Sequence, residues 1–315
     1  MSPTCTEELH QVTISELGGL FGLPTQSIEE DEVVAEVLSR AQLRLANTAE
    51  REEYILEFVR RIRNPRIARD DQVNLEAWNQ GWQENLVQIH SDGLTEENVK
   101  PRYFRGSKFF RFRKDLWVTE NPQLEYDLFV ACRRLIFSYY LSDAPGILEL
   151  GCGSCGNLHL LSRMFPKKRL KGCDWATPSV ELANKIGRIL HRDISGERLD
   201  FLDPPKDLGL SPGDAVISIH ALEQIGNRHG ALIESLLQSK PSIVLHYEPT
   251  MELYDQSNLY DTLASWYSGI RKYLNGLLDL LRKLESEGRI ELLKVRRPEI
   301  GGIMHEASLI VWRPI

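Results

Sequence analysis

Apolar positions recur with a helical period through the first 140 or so residues. In SIEEDEVVAEVLSRAQLRLAN (27–47), Val34, Val37, Leu38, Ala41 and Leu45 fall on one face, with acids early and Ser27 as a cap. AEREEYILEFVRRIRN (49–64) repeats the pattern, and Trp78 and Trp82 stand four apart on one face of NLEAWNQGWQENLVQIH (74–90). No convincing period-two alternation interrupts these stretches. From Ala144 the texture changes. Short apolar runs at 146–150, 169–174, 198–203, 214–220 and 242–248 alternate with helical stretches at 157–165, 178–190 and 230–238. Strand and helix in alternation predict a mostly parallel sheet covered on both faces. One long amphipathic helix is expected over 257–287, then a hairpin of 289–295 and 306–313 at the sheet edge. The reading is α/β, with a mainly helical cap or substrate region over 1–140 and a sheet domain over 141–315.

Composition narrows the class only a little. The 315 residues are 42% hydrophobic and 26% charged, which is ordinary for a soluble globular protein. A net charge of −7 argues against a broad nucleic-acid surface. Five cysteines, an odd number, form no visible disulfide framework and fit a reducing cytoplasm. The N-terminus lacks the basic and apolar regions of a secretory leader, and no window approaches the roughly 20 apolar residues of a membrane span.

The chemistry concentrates in GILELGCGSCGN (146–157), a strand run followed by a glycine-rich turn and a helix. Glycines let the backbone approach a ligand, and ligands of open α/β sheets sit at the carboxyl ends of strands. Asp174 ends the second strand, 25 residues after Glu149, where an acid suits the two hydroxyls of a ribose. A dinucleotide loop would accept a pyrophosphate on the helix N-terminus. Glu149 beside the loop would repel one and would suit a ligand bearing an ammonium group.

LELGCGSCGN, GCDWATPSVELA, RLDFLD and DAVISIHALEQIG, in that order, resemble the class I S-adenosylmethionine-dependent methyltransferases over about residues 141–315. The resemblance implies a seven-stranded, mostly parallel Rossmann-like methyltransferase sheet with helices on both faces and S-adenosylmethionine as cofactor. One departure is Cys155, which stands where the family commonly has its third glycine. By position, the family's roles fall on Glu149 and the Gly151–Cys152–Gly153 backbone for the methionine part and on Asp174 for the ribose. Trp175, Leu202 and Asp203 would flank the adenine, and His220 and Ala221 would line the floor under the sulfonium. Trp175 is also readable as a packing residue and Asp203 as a turn residue before Pro204.

Two motifs read as decoys. CGSC (152–155) has the spacing of a metal or redox pair, but no second pair supplies the other ligands, so small-residue packing is favoured and no metal is expected. DPPK (203–206) resembles the Asp-Pro-Pro-aromatic motif of nucleobase-methylating enzymes but has Lys206 in place of the aromatic residue.

The acceptor is expected above the tips of the fourth and fifth strands. His246 and Glu248 are the candidate catalytic pair, i and i+2 on one strand face. Glu223, Gln224, Tyr247 and Tyr254 are candidate substrate contacts. KPRYFRGSKFFRFRK (100–114) interleaves seven basic residues with aromatics. It is read as a solvated connection, a lid offering Tyr103 and Arg105, or a nucleic-acid patch. The expected function is methyl transfer to a polar small molecule in an enclosed pocket, with no membrane role and a homodimer through the N-terminal region as one option. Protein or RNA methylation and non-catalytic cofactor binding remain the alternatives.

Overall fold

Seven strands of the C-terminal half pair into one sheet. The computed structural model of the chain describes residues 9–64, 67, 71–104, 106–304 and 306–315. The elements before the sheet are β1 (His10–Gln11), α1 (Ile14–Phe21), α2 (Glu32–Ser39), β2 (Gln42–Leu45), α3 (Thr48–Ile62), α4 (Asp71–Asp92), β3 (Phe109–Phe112), β4 (Asp115–Val118) and α5 (Leu124–Tyr140). There follow β5 (Gly146–Leu150), α6 (Gly156–Met164), β6 (Arg169–Asp174), α7 (Thr177–Leu190), β7 (Ile194–Arg198), β8 (Ala215–Ile219), α8 (Gly230–Ser239) and β9 (Ile243–Glu248). The chain ends with α9 (Leu259–Arg271), α10 (Leu277–Ser286), β10 (Ile290–Arg296), β11 (Ile300–Gly301) and β12 (Ser308–Pro314).

The large sheet has the order β10-β12-β9-β8-β5-β6-β7. β5 to β9 pair in parallel, and β12 alone runs against its neighbours β9 and β10. The winding reverses between β5 and β8, which opens a crevice at their carboxyl ends. The expected seven-stranded, mostly parallel sheet is therefore present. One boundary moves: the third strand is β7, Ile194–Arg198, so residues 199–203 lie beyond its tip instead of within it.

Strand alternation sorts the core. Ile147, Ile217, Leu245 and Leu309 face one side and pack with Phe21 of α1, Leu135 and Phe137 of α5 and Ile186 of α7. Leu148, Val216, Val244, Ile310 and Trp312 face the other side, against Leu232 of α8 and Leu278 and Leu281 of α10. Each such side chain contributes about 1.5–3 kcal/mol on burial. The N-terminal helices thus share a core with the sheet.

The N-terminal region also holds strands that its pattern does not announce. β1, β2, β4 and β3 form a small sheet completed by β11 from the far end of the chain. Strands of two to four residues are too short to display alternation, and β3 is buried at all four positions. The helix expected over 27–47 therefore stops at Ser39, and Asp31, not Ser27, caps it by accepting the N–H groups of Val33 and Val34. The helix expected over 257–287 divides into α9 and α10, with Lys272 and Gly276 in the left-handed region at φ 55° and 78°.

Candidate functional site

The turn after β5 is held from below and from the side. The N–H groups of Gly151 and Cys152 both donate to the Cys173 carbonyl at 2.7 and 3.0 Å. Gly151 and Gly153 have φ of 72° and 50°, the region glycine tolerates. A Cβ at Gly153 would lie 2.9 Å from Cζ2 of Trp82, and one at Gly151 would lie 2.4 Å from Cβ of Ala221. The loop is therefore pressed between an indole of α4 and the tip of β8. Ser154 Oγ donates to the Val99 carbonyl at 2.6 Å, tying the loop to the N-terminal region once more.

Asp174, at the end of β6, accepts from Gly153 N–H at 2.8 Å through Oδ2 and from Ala176 N–H at 2.9 Å through Oδ1. Burial pushes its carboxyl up to about 6, against the pull of those two amides. Glu149 lies beneath the loop, fully buried. Its Oε1 accepts from Asn157 Nδ2 at 2.6 Å, and Asn157 Oδ1 accepts from Arg133 Nη1. Burial pushes Glu149 up to about 8, with Asn157 and Arg133 pulling the other way.

At the tip of β8, His220 stands at φ 51° and its N–H donates to the Tyr247 carbonyl at 3.1 Å. Glu248 Oε1 accepts from the N–H groups of Ala221 and Leu222 at 3.0 and 3.1 Å, which fixes the turn that carries His220. His220 Nδ1 lies 3.6 Å from Glu223 Oε2. Burial alone would lower the His220 imidazole, but the carboxylates of Glu223, Glu248 and Glu125 outweigh it and raise its pKa.

These tips open into a cavity of about 650 Å³. The structure brings together there Gly151, Cys152, Gly153, Asp174, Trp175, Leu202, His220, Ala221, Tyr103, Glu223, Gln224 and Tyr247. Trp78, Trp82, Phe129 and Arg133 of the N-terminal region close it on another side. Trp78 and Trp82 stack at 5.1 Å, and Phe129 meets His220 edge-on at 5.4 Å. Arg105 lies outside the described residues.

Glu149, Asp203, His246, Glu248 and Tyr254 do not line the cavity. His246 and Glu248 do share a face of β9, but it is the face of Val244 and Trp312, whereas Tyr247 faces the cavity side. His246 Nε2 accepts from Trp312 Nε1 at 3.0 Å, and its Nδ1 lies 2.8 Å from Ser218 Oγ. Burial lowers its pKa to about 3. The structure therefore places neither of the candidate catalytic pair at this cavity: His246 is packed in the core, and Glu248 accepts from the backbone behind His220. Tyr254 is also removed from the acceptor side, because its hydroxyl donates to the Glu306 carbonyl at 2.9 Å and accepts from the Glu306 N–H at 2.7 Å. Asp203 is exposed away from the cavity, and the acid at the lining is Asp200, beside Phe201. That shift follows from the earlier end of β7; RLDFLD holds two acids, and the strand register decides between them.

Three further residues escaped the sequence reading. Asn157 follows the glycines directly and was open to inspection. Phe129 and Arg133 sit inside an ordinary amphipathic helix, where no local signal separates them from core and surface positions.

Cys152 and Cys155 are both buried. The Cys155 thiol and burial push Cys152 well up, and burial pushes Cys155 up, so neither is a ready thiolate. Among the described residues no group of three or more His, Cys, Asp or Glu side chains could hold a metal ion. The basic–aromatic segment 100–114 contributes β3, buried at all four positions with Arg111 fully enclosed, whereas Arg102, Tyr103, Gly106, Lys108 and Arg113 are exposed. No helix among the described residues is long and apolar enough to cross a membrane.

No family model and no curated protein matches the chain. Solved structures do. Magnesium protoporphyrin IX methyltransferase from Synechocystis PCC 6803 with bound SAH aligns at 14% identity and TM-score 0.47, over 78% of this chain and 100% of that one. Geranyl diphosphate C-methyltransferase from Streptomyces coelicolor A3(2) aligns at 14% and 0.45, over 76% and 98%. The methyltransferase domain of a bacterial Hen1 aligns at 18% and 0.43, over 60% and 99%. The strand order, the one reversed strand and the glycine turn after β5 decide the architecture. The chain has the class I methyltransferase fold. Within that fold the cavity lies where the winding reverses, between the β5 and β8 tips.

Proposed function

We propose that the chain is an S-adenosylmethionine-dependent methyltransferase acting on a polar small molecule enclosed in the cavity. The observation that carries this reading is the continuity of one cavity of about 650 Å³ from the glycine turn and Asp174 to charged residues of the N-terminal and C-terminal segments, among them Glu57, Arg61 and Arg271. Pockets for small ligands run from about 300 to 1,000 Å³. The residues suit the cofactor. Left-handed glycines permit close backbone approach, Asp174 faces the cavity as an acceptor for sugar hydroxyls, and Asp200, Phe201 and Leu202 offer an acidic and apolar seat for the base.

The cofactor when bound supplies an electrophilic methyl on a sulfonium, so positioning carries much of the catalysis. Trp78, Tyr103 and Phe129 line the cavity and supply aromatic walls to it. Glu248 sets the His220 turn through two backbone amides, and Glu223 stands beside the His220 imidazole. That pair would orient the acceptor and take its proton. Radiolabelled methyl transfer tests the reading: incubation with labelled cofactor and a fractionated extract should place counts in the small-molecule fraction. Counts in protein or RNA alone would replace it with the open-groove alternative. Absence of S-adenosylhomocysteine binding at about micromolar Kd, near −8 kcal/mol, would remove the cofactor.

A further inference from the structure

Arg133 is 3% exposed, yet it lines the cavity. Its Nε donates to the Phe129 carbonyl at 3.1 Å, its Nη1 donates to Asn157 Oδ1, and its guanidinium lies 4.2 Å from the Phe129 ring centroid. Its Nη2 has no hydrogen-bond or ion-pair partner among the described residues. The acid at the end of its relay, Glu149, is buried and does not meet the guanidinium directly. A buried permanent cation is normally paired with an anion, because the desolvation penalty is large. Here the donors that remain can be met from the cavity.

A second observation converges on the same place. Asn157 is the second residue of α6, whose N-cap Cys155 provides no side-chain cap. The opening amides of a helix lack intrahelical acceptors and favour negative charge. An anion meeting Arg133 would sit beside the glycine turn, at the start of α6.

We propose that Arg133 binds the α-carboxylate of the adenosyl cofactor, an inference that rests on the proposed use of that cofactor. α5, outside the sheet, then completes the cofactor site. The amino-acid end of the ligand is gripped by an N-terminal helix and its sugar by the sheet.

Calorimetry with three ligands tests this: S-adenosylhomocysteine, its decarboxylated analogue 5′-deoxy-5′-(3-aminopropylthio)adenosine, and 5′-methylthioadenosine. The wild-type chain should prefer S-adenosylhomocysteine over the decarboxylated analogue by at least about tenfold, the size of one charge-assisted hydrogen bond. Arg133→Ala should weaken S-adenosylhomocysteine by about 10- to 100-fold while leaving the other two within about twofold. Arg133→Lys, which keeps the charge without the fork, should retain part of the preference and covers the case in which the alanine variant does not fold. A preference that persists in Arg133→Ala, a parallel loss for all three ligands, or no preference in the wild type overturns the assignment. If the wild type binds none of the three, the cofactor reading itself has failed.

Discussion

The carboxylate of Asp174 accepts the N–H of Gly153 at 2.8 Å, so a residue of the cavity wall also holds the glycine turn beside it. Burial raises this carboxyl to about 6 from an ordinary 3.8. A protonated acid is the poorer acceptor for a sugar hydroxyl. Affinity for S-adenosylhomocysteine should therefore fall below about pH 6, by up to about tenfold per unit. Asp174→Asn should bind about 10- to 100-fold more weakly at pH 8 and lose that pH step. Calorimetry from pH 5 to 8 reads both; an unaltered profile in the variant removes Asp174 from the site.

Asp200 and Asp203 separate cleanly. Asp200 lines the cavity and Asp203 does not. Asp200→Ala should weaken S-adenosylhomocysteine by about 5- to 30-fold, as expected for one or two ligand hydrogen bonds, while Asp203→Ala stays within about twofold. The reverse ranking would restore the longer third strand.

His246 should matter to stability and not to ligand binding. Its folded pKa is lowered to about 3 by burial, against an ordinary 6.5. Between those values the unfolded chain takes up a proton that the folded chain refuses. The stability His246 contributes is thus full above pH 6.5 and is lost progressively as pH falls toward 3, at up to about 1.4 kcal/mol per unit. His246→Ala also strands Trp312 Nε1 and should lower stability by about 1–3 kcal/mol at pH 7.5 with unchanged affinity for S-adenosylhomocysteine. Urea titrations at pH 5 and 7.5 measure the effect, and the variant should show a flatter pH dependence.

A buried charge cluster joins the two sheets. Arg111 pairs with Asp261 and, at 3.1 Å, with Glu306; Arg297 pairs with both acids, reaching Glu306 at 2.9 Å. Removing Arg111 leaves two enclosed carboxylates to share the single guanidinium of Arg297. Arg111→Met should cost about 3–5 kcal/mol, read as a lower denaturation midpoint. Replacing Arg111 and Asp261 together should cost less than the sum of the single changes, because neither charge is then stranded.

Much of this architecture was legible because its signals are local and repeated. Five apolar runs separated by amphipathic helices announce the parallel sheet, and the glycines and Asp174 mark the end at which the cavity opens. What escaped depends on contacts distant in sequence. Gln42–Leu45 is a strand because β4 pairs with it, and FFRF shows no alternation because both its faces are covered. His246 and Glu248 looked catalytic from their spacing, yet which face of β9 looks into the crevice is set by packing across the sheet. Arg133 carries no local mark, since its meaning comes from Asn157, 24 positions later.

The indole of Trp82 leaning on Gly153 has a corollary. The glycine turn of the sheet domain is shaped by a ring from an appendage, so grafting a different N-terminal segment onto this sheet would disturb the grip on the ligand as well as the choice of acceptor.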